Sequence, residues 1–141
     1  MTTMNPQNYT ILIVDDDQDY LFQLQMKVEK FGYKTVTAEG QREAEELINK
    51  MKPDLAILDL MMENEDSGFI LCFKMKKKYP DVPIIIATGV TAETGITFDI
   101  QDDNNRKWIK ADRFLDKGIR SDLLKEEIEK LLTGPVRPSG I

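Results

Sequence analysis

Apolar residues along this chain fall into two alternating rhythms. Thr10-Ile11-Leu12-Ile13-Val14 is an unbroken β-rich run, as expected for a strand buried on both faces. Leu21, Leu24, Val28 and Phe31 then recur at helical spacing, and Gly32 stops that helix. Tyr33 to Thr37 reads as a second strand, and Ala44, Leu47, Ile48 and Met51 mark a second amphipathic helix. Pro53 precedes a third strand, Asp54 to Leu58. A third helix runs from Gly68 to Tyr79, with Phe69, Cys72 and Phe73 on one side. Pro83 opens a fourth strand, Ile84 to Ala87. Between Val90 and Lys110 the rhythm is broken, with one helix predicted over Gln101 to Ile109. Arg113 to Leu115 is a short fifth strand, and Leu124, Ile128 and Leu131 give the last helix.

Strands alternating with helices imply an α/β fold, a parallel sheet covered on both faces. Right-handed crossovers make it a doubly wound sandwich. The boundaries expected are a polar extension over residues 1–9, one folded domain over 10–132 and a short flexible tail over 133–141 that opens on Gly134-Pro135. Nine residues cannot fold alone, so no output domain is expected after Leu132, and the protein is expected to act by docking to another.

Composition narrows the function. The 141 residues suffice for one hydrophobic core. No apolar run can span a bilayer, and no secretory signal is read at Met1 to Tyr9. Cys72 is the only cysteine, which rules out an internal disulfide and fits a reducing, cytoplasmic setting. The net charge of −6, with no basic stripe, argues against a nucleic-acid partner. Lys76-Lys77-Lys78 points in different directions around a helix and reads as solvated surface. There is no histidine. That excludes Ser-His-Asp catalysis, His-ligated zinc and phosphohistidine on this chain.

Ligands of doubly wound sheets sit beyond the carboxyl ends of the strands. Strand one ends in Val14-Asp15-Asp16-Asp17, strand three in Leu58-Asp59, strand four in Ala87-Thr88-Gly89, and strand five in Leu115-Asp116-Lys117. Clustered carboxylates repel one another and need a counter-charge. Mg²⁺ supplies it through oxygen ligands. Beside such an ion a carboxylate such as Asp59 can take a phosphoryl group. Lys117 and the Thr88 hydroxyl would hold the phosphoryl oxygens, with Gly89 keeping the approach to Thr88 open. Each residue alone has a plainer reading: a strand-end threonine, a surface lysine, and Asp17 as the cap of helix one.

The chain resembles the receiver domain of two-component response regulators over about Thr10 to Leu132. The resemblance is carried by Ile11-Leu12-Ile13-Val14-Asp15-Asp16, by Pro53-Asp54-Leu55-Ala56-Ile57-Leu58-Asp59-Leu60-Met61-Met62, by Ile86-Ala87-Thr88-Gly89, and by Ala111-Asp112-Arg113-Phe114-Leu115-Asp116-Lys117. It implies a flavodoxin-like (βα)5 sheet in the order 2-1-3-4-5. It implies Asp59 as phosphoacceptor and Asp16 as chief Mg²⁺ ligand. Asp15 would act through water, and the backbone carbonyl of Met61 would be the third protein ligand. Thr88 becomes the switch hydroxyl, Lys117 the phosphate-binding lysine and Phe114 the switch aromatic. The donor is then a sensor histidine kinase or phosphotransfer protein, and the target a downstream protein. Such a protein is a phosphoacceptor rather than an enzyme. Its switch repacks the face formed by the helix predicted at Gln101 to Ile109, the fifth strand and the last helix.

The chain departs from the family in places. Gly118 follows Lys117 where the family usually has proline, commonly after a cis bond. A cis bond before glycine costs roughly 2–3 kcal/mol more. The loop after Asp59, Met62 to Gly68, lacks the usual proline and is one residue longer, and the Thr88 to Lys117 stretch is long. Met61 and Val90 stand where the family tunes hydrolysis. Both are apolar and cannot orient water, so slow self-dephosphorylation is expected. Two rivals stand beside this reading. One is an unphosphorylated receiver-like interaction scaffold. The other is a haloacid-dehalogenase-like phosphohydrolase with Asp15 as nucleophile and Asp17 as acid–base. Against that enzyme, Asp19 stands where its motif wants threonine, and Asp102-Asp103 precedes the lysine.

Overall fold

The computed structural model describes residues 5–64, 66–89 and 111–133. The strands are β1 (Thr10–Val14), β2 (Lys34–Ala38), β3 (Leu55–Asp59), β4 (Ile84–Thr88) and β5 (Arg113–Asp116). The helices are α1 (Gln18–Lys30), α2 (Gln41–Ile48), α3 (Ser67–Lys78) and a C-terminal helix, Ser121–Thr133. The strands form one sheet in the order β2-β1-β3-β4-β5, every neighbouring pair parallel. This is the flavodoxin-like order expected from the resemblance. The helix expected over Gln101 to Ile109, the position of Val90 and the tail from Gly134 lie outside the described residues.

Strand alternation builds two cores. Leu12, Val14, Ala56, Leu58, Ile84 and Ile86 point to one face, where α2 and α3 cover them with Ala44, Ile48, Leu71, Cys72 and Met75. Ile11, Ile13, Leu55, Ile57, Ile85 and Ala87 point to the other, under Leu21, Leu24 and Val28 of α1 and Leu124 and Ile128 of the C-terminal helix. Between their ends the central strands are therefore apolar, which is why they read as unbroken runs. Gly32 ends α1 at a φ of +106°, a conformation that side chains disfavour.

Several boundaries differ from the sequence reading. β2 starts at Lys34, while Tyr33 is buried with its ring edge-on to Tyr9 at 6.5 Å. Asp54 precedes β3, and its carboxylate accepts from the Thr10 N–H at 2.7 Å. β3, β4 and β5 each run one residue further, because Asp59 pairs with Ala87 and Thr88 with Asp116 in the parallel ladder. The buried face of α3 is Gly68, Leu71, Cys72 and Met75. Phe73 is 42% exposed, so the Phe69–Phe73 stripe lies on the flank of the helix. Lys76 is a correction too: its Nζ lies 2.9 Å from Asp112 Oδ2 in a largely buried pair. Lys77 and Lys78 are exposed, as expected.

Candidate functional site

Two strand ends deliver the acidic cluster. After β1 the Asp15 N–H still donates to Ala38 O at 3.1 Å, which keeps Asp15 on the sheet and buried. The next residue, Asp16, is exposed. Asp17 then caps α1, accepting from the N–H groups of Asp19 (3.1 Å) and Tyr20 (3.2 Å). Asp59 is the last residue of β3 and is buried. Carboxylate oxygens of Asp15, Asp16 and Asp59 lie within 4.8 Å of one another.

Lys117 is the counter-charge. Its backbone N–H donates to Thr88 O at 3.0 Å, extending the β4–β5 ladder. Its Nζ lies 2.8 Å from Asp15 Oδ2 and 3.1 Å from Asp59 Oδ1. The Tyr20 ring lies beneath that Nζ, 4.7 Å from centroid to nitrogen. The Tyr20 hydroxyl donates to the Lys117 carbonyl at 3.4 Å. Gly118 donates its N–H to Asp116 Oδ1 at 2.6 Å, and no described peptide bond is cis. Thr88 ends β4 and is buried beside the cluster.

One cation for three carboxylates leaves the cluster short of positive charge. Burial, then the Asp15 carboxylate, push the Asp59 carboxyl up to about 7 against the pull of Lys117. For Lys117, burial disfavours the charge, but the bond to Asp15 and the Asp59 and Asp15 charges outweigh it and raise its pKa. This is the donor set a hard divalent cation wants: close-set carboxylate oxygens carrying excess negative charge.

The other expected residues sit as follows. Met61, two residues beyond Asp59, is exposed on the loop that leaves the sheet. Phe114 is half-buried on β5, its ring edge-on to Phe69 at 6.1 Å. Gly89 follows Thr88, and among the described residues a Cβ there would meet only Lys117 Cδ, at an ordinary 3.8 Å. Val90 lies outside the described residues. Asp17, spent on capping α1, is outside the acidic group, so the dehalogenase-like reading lacks its acid–base.

Three residues escaped the sequence reading. Tyr20 supports Lys117 across the sheet end. Gly68 opens α3 against the backbone of Asp59 and Leu60, its N–H donating to Leu60 O at 2.7 Å. Glu63 bonds the start of α2, accepting from Gln41 N–H (2.8 Å) and Arg42 N–H (3.2 Å). The signal for Glu63 was Gly40, an N-cap position with no side chain to cap α2.

Residues 11–129 match the family model described as the response regulator receiver domain. The chain belongs to that family. Among curated relatives of this receiver, the transcriptional regulatory protein GlrR of Escherichia coli (strain K12) is 40% identical over 79 residues. The match covers 56% of this chain and 18% of GlrR, so the receiver spans a small part of that relative. The response regulator protein TrrA of Thermotoga maritima, solved in complex with Mg²⁺-BeF, superposes with a TM-score of 0.73 at 30% identity, covering 88% of this receiver and 99% of TrrA. The signal receiver domain of a signal transduction histidine kinase from Syntrophus aciditrophicus gives 0.74 at 30% identity, covering 94% and 96%. The family is a phosphoacceptor signalling domain of two-component systems and binds Mg²⁺ at an acidic cluster. Among the described residues no helix is long and apolar enough to cross a membrane.

Proposed function

We propose that this receiver accepts a phosphoryl group on Asp59 from the phosphohistidine of a partner kinase or phosphotransfer protein, in the cytoplasm. The convergence of Asp15, Asp16 and Asp59 on one another, with Lys117 bridging two of them, carries this reading. Asp16, Asp59 and the Met61 carbonyl would hold Mg²⁺, with Asp15 acting through water. When bound, the ion neutralises the carboxylates and draws charge from the phosphoryl oxygens.

The chain's own residues do the rest. An Asp59 oxygen attacks phosphorus, the donor's N–P bond breaks, and the electron pair returns to the imidazole nitrogen, which takes a proton. The Lys117 ammonium stabilises one phosphoryl oxygen and the Thr88 hydroxyl another. Thr88 drawn toward the phosphoryl group frees space for Phe114, whose repacking against Phe69 alters the β5 face that a downstream protein reads. The net charge of −6 supports a protein partner over a nucleic acid. Met61 and Val90 are apolar and neither can orient water, so the acyl phosphate is long-lived; a half-life of seconds contradicts this.

The test is intact mass after incubation with acetyl phosphate and Mg²⁺. Wild type gains one hydroxylamine-labile phosphoryl group and Asp59→Asn gains none. An equal adduct on Asp59→Asn refutes the assignment. Absence of both an adduct and Mg²⁺ binding in wild type favours the unphosphorylated scaffold.

A further inference from the structure

The loop between β3 and α3 is tied down at both ends. Leu60 is held by its N–H to Ala87 O (3.3 Å) and by Gly68 N–H to its own carbonyl (2.7 Å). Asn64 and Ser67 exchange bonds, Asn64 N–H to Ser67 Oγ at 2.9 Å and Ser67 N–H to Asn64 O at 3.2 Å. The stretch between these ties contains Met61. It is held from outside by the Glu63 carboxylate, which spans the Gln41 and Arg42 N–H groups at the start of α2. The helix has no cap of its own: Gly40 makes no side-chain bond, and a Cβ on it would come within 2.9 Å of a Glu63 oxygen. An anion there also meets the positive end of the helix dipole. The β2–α2 turn is in turn tied to α1, Gln18 Nε2 donating to Glu39 Oε1 at 2.7 Å.

We propose that Glu63 is a positioning residue for the metal site: it latches the loop after Asp59 to α2 and so holds the Met61 carbonyl toward the ion. The latch rests on the metal reading above and ties the loop after Asp59 to α2. Residues that orient ligands without touching the metal are worth about 10–100-fold in affinity. An exposed latch belongs at the low end.

The experiment is calorimetric titration with MgCl₂ on wild type, Glu63→Gln, Glu63→Ala and the double variant Glu63→Ala/Gly40→Ser, with amide exchange at Gln41 and Arg42. Gly40 has extended backbone (φ −177°), which serine adopts, and removing the carboxylate removes the obstacle to its Cβ. Serine there caps α2 locally but does not reach the loop. Glu63→Ala is expected to bind Mg²⁺ roughly tenfold more weakly, and Glu63→Gln, which keeps one acceptor and its fold, to fall between. The added serine restores amide protection in α2 while Mg²⁺ affinity stays low. Wild-type affinity in both Glu63→Gln and Glu63→Ala overturns the latch. So does rescue of affinity by Gly40→Ser, which makes Glu63 a helix cap alone. Failure of wild type to bind Mg²⁺ overturns the metal reading and the latch with it.

Discussion

Gly68→Ala tests how tightly the phosphoacceptor strand is held. Gly68 lies in the first turn of α3 and backs onto the end of β3. A Cβ added there would stand 2.7 Å from Leu60 Cα and 3.0 Å from Leu60 O, and closer still to the Asp59 carbonyl oxygen. Carbon atoms sit comfortably at about 3.5–4.0 Å, so about 1 Å has to be found. All these neighbours are backbone, so no side chain can turn aside. Overpacking of this kind costs about 1–3 kcal/mol, and alanine's better helix propensity returns at most about 1. With that full return the net loss is up to about 2 kcal/mol. The strand end that yields carries Asp59, and a displacement of that order costs up to about 100-fold in rate. Urea denaturation followed by circular dichroism reads the first quantity, and the rate of acetyl phosphate labelling by intact mass reads the second. Gly89→Ala is the control, since its Cβ enters ordinary contact, and it stays within about 0.5 kcal/mol of wild type. Wild-type stability and labelling in Gly68→Ala would refute the reasoning.

Two other expectations concern stability. Burial, then the charge of Glu129 and the nearby Tyr9, push Tyr33 up to about 12, whereas unfolded tyrosine titrates near about 10. The fold holds that proton more tightly, so its contribution is complete below about pH 10 and is lost as pH rises toward about 12. Denaturation midpoints across this range should fall less steeply for Tyr33→Phe, and parallel profiles would contradict the assignment. Asp112 Oδ2 accepts from Ile84 N–H at 2.7 Å and pairs with Lys76. Asp112→Ala leaves a buried donor and a partly buried cation behind and costs about 1–3 kcal/mol in denaturant titration, while Lys77→Ala stays within about 0.5. Equal losses for the two would show that the Lys76–Asp112 pair is dispensable.

The strands were legible because burial on both faces leaves no polar position in β1, β3 or β4 to interrupt the run. The acidic tips were legible for the complementary reason: Asp15, Asp59 and Thr88 are where those runs turn polar. What the sequence concealed depends on a second element. The ends of β3 and β4 are set by how far their neighbours extend, which a single segment does not carry. The buried face of α3 depends on the helix's rotation against the sheet, so Leu71 and Met75 are enclosed and Phe73 is not. Lys76 became a buried partner only because β5 brings Asp112 to it. Tyr20 reaches Lys117 from α1, and Glu63 reaches the start of α2 from the loop after β3, contacts that no apolar pattern marks. Gly68 looked like an ordinary helix start until the end of β3 was behind it.

The odd and even positions of the central strands face different helices, and the sheet stands between them as a partition. A change in α2 or α3 is felt first by Leu12, Leu58 and Ile86, and one in α1 or the C-terminal helix by Ile11, Ile57 and Ile85. Substitutions in helices on opposite faces, which share no cluster, then add as nearly independent events. Each helix layer can therefore change without the other, while the acidic rim, carried by the strands that both layers cover, belongs to both.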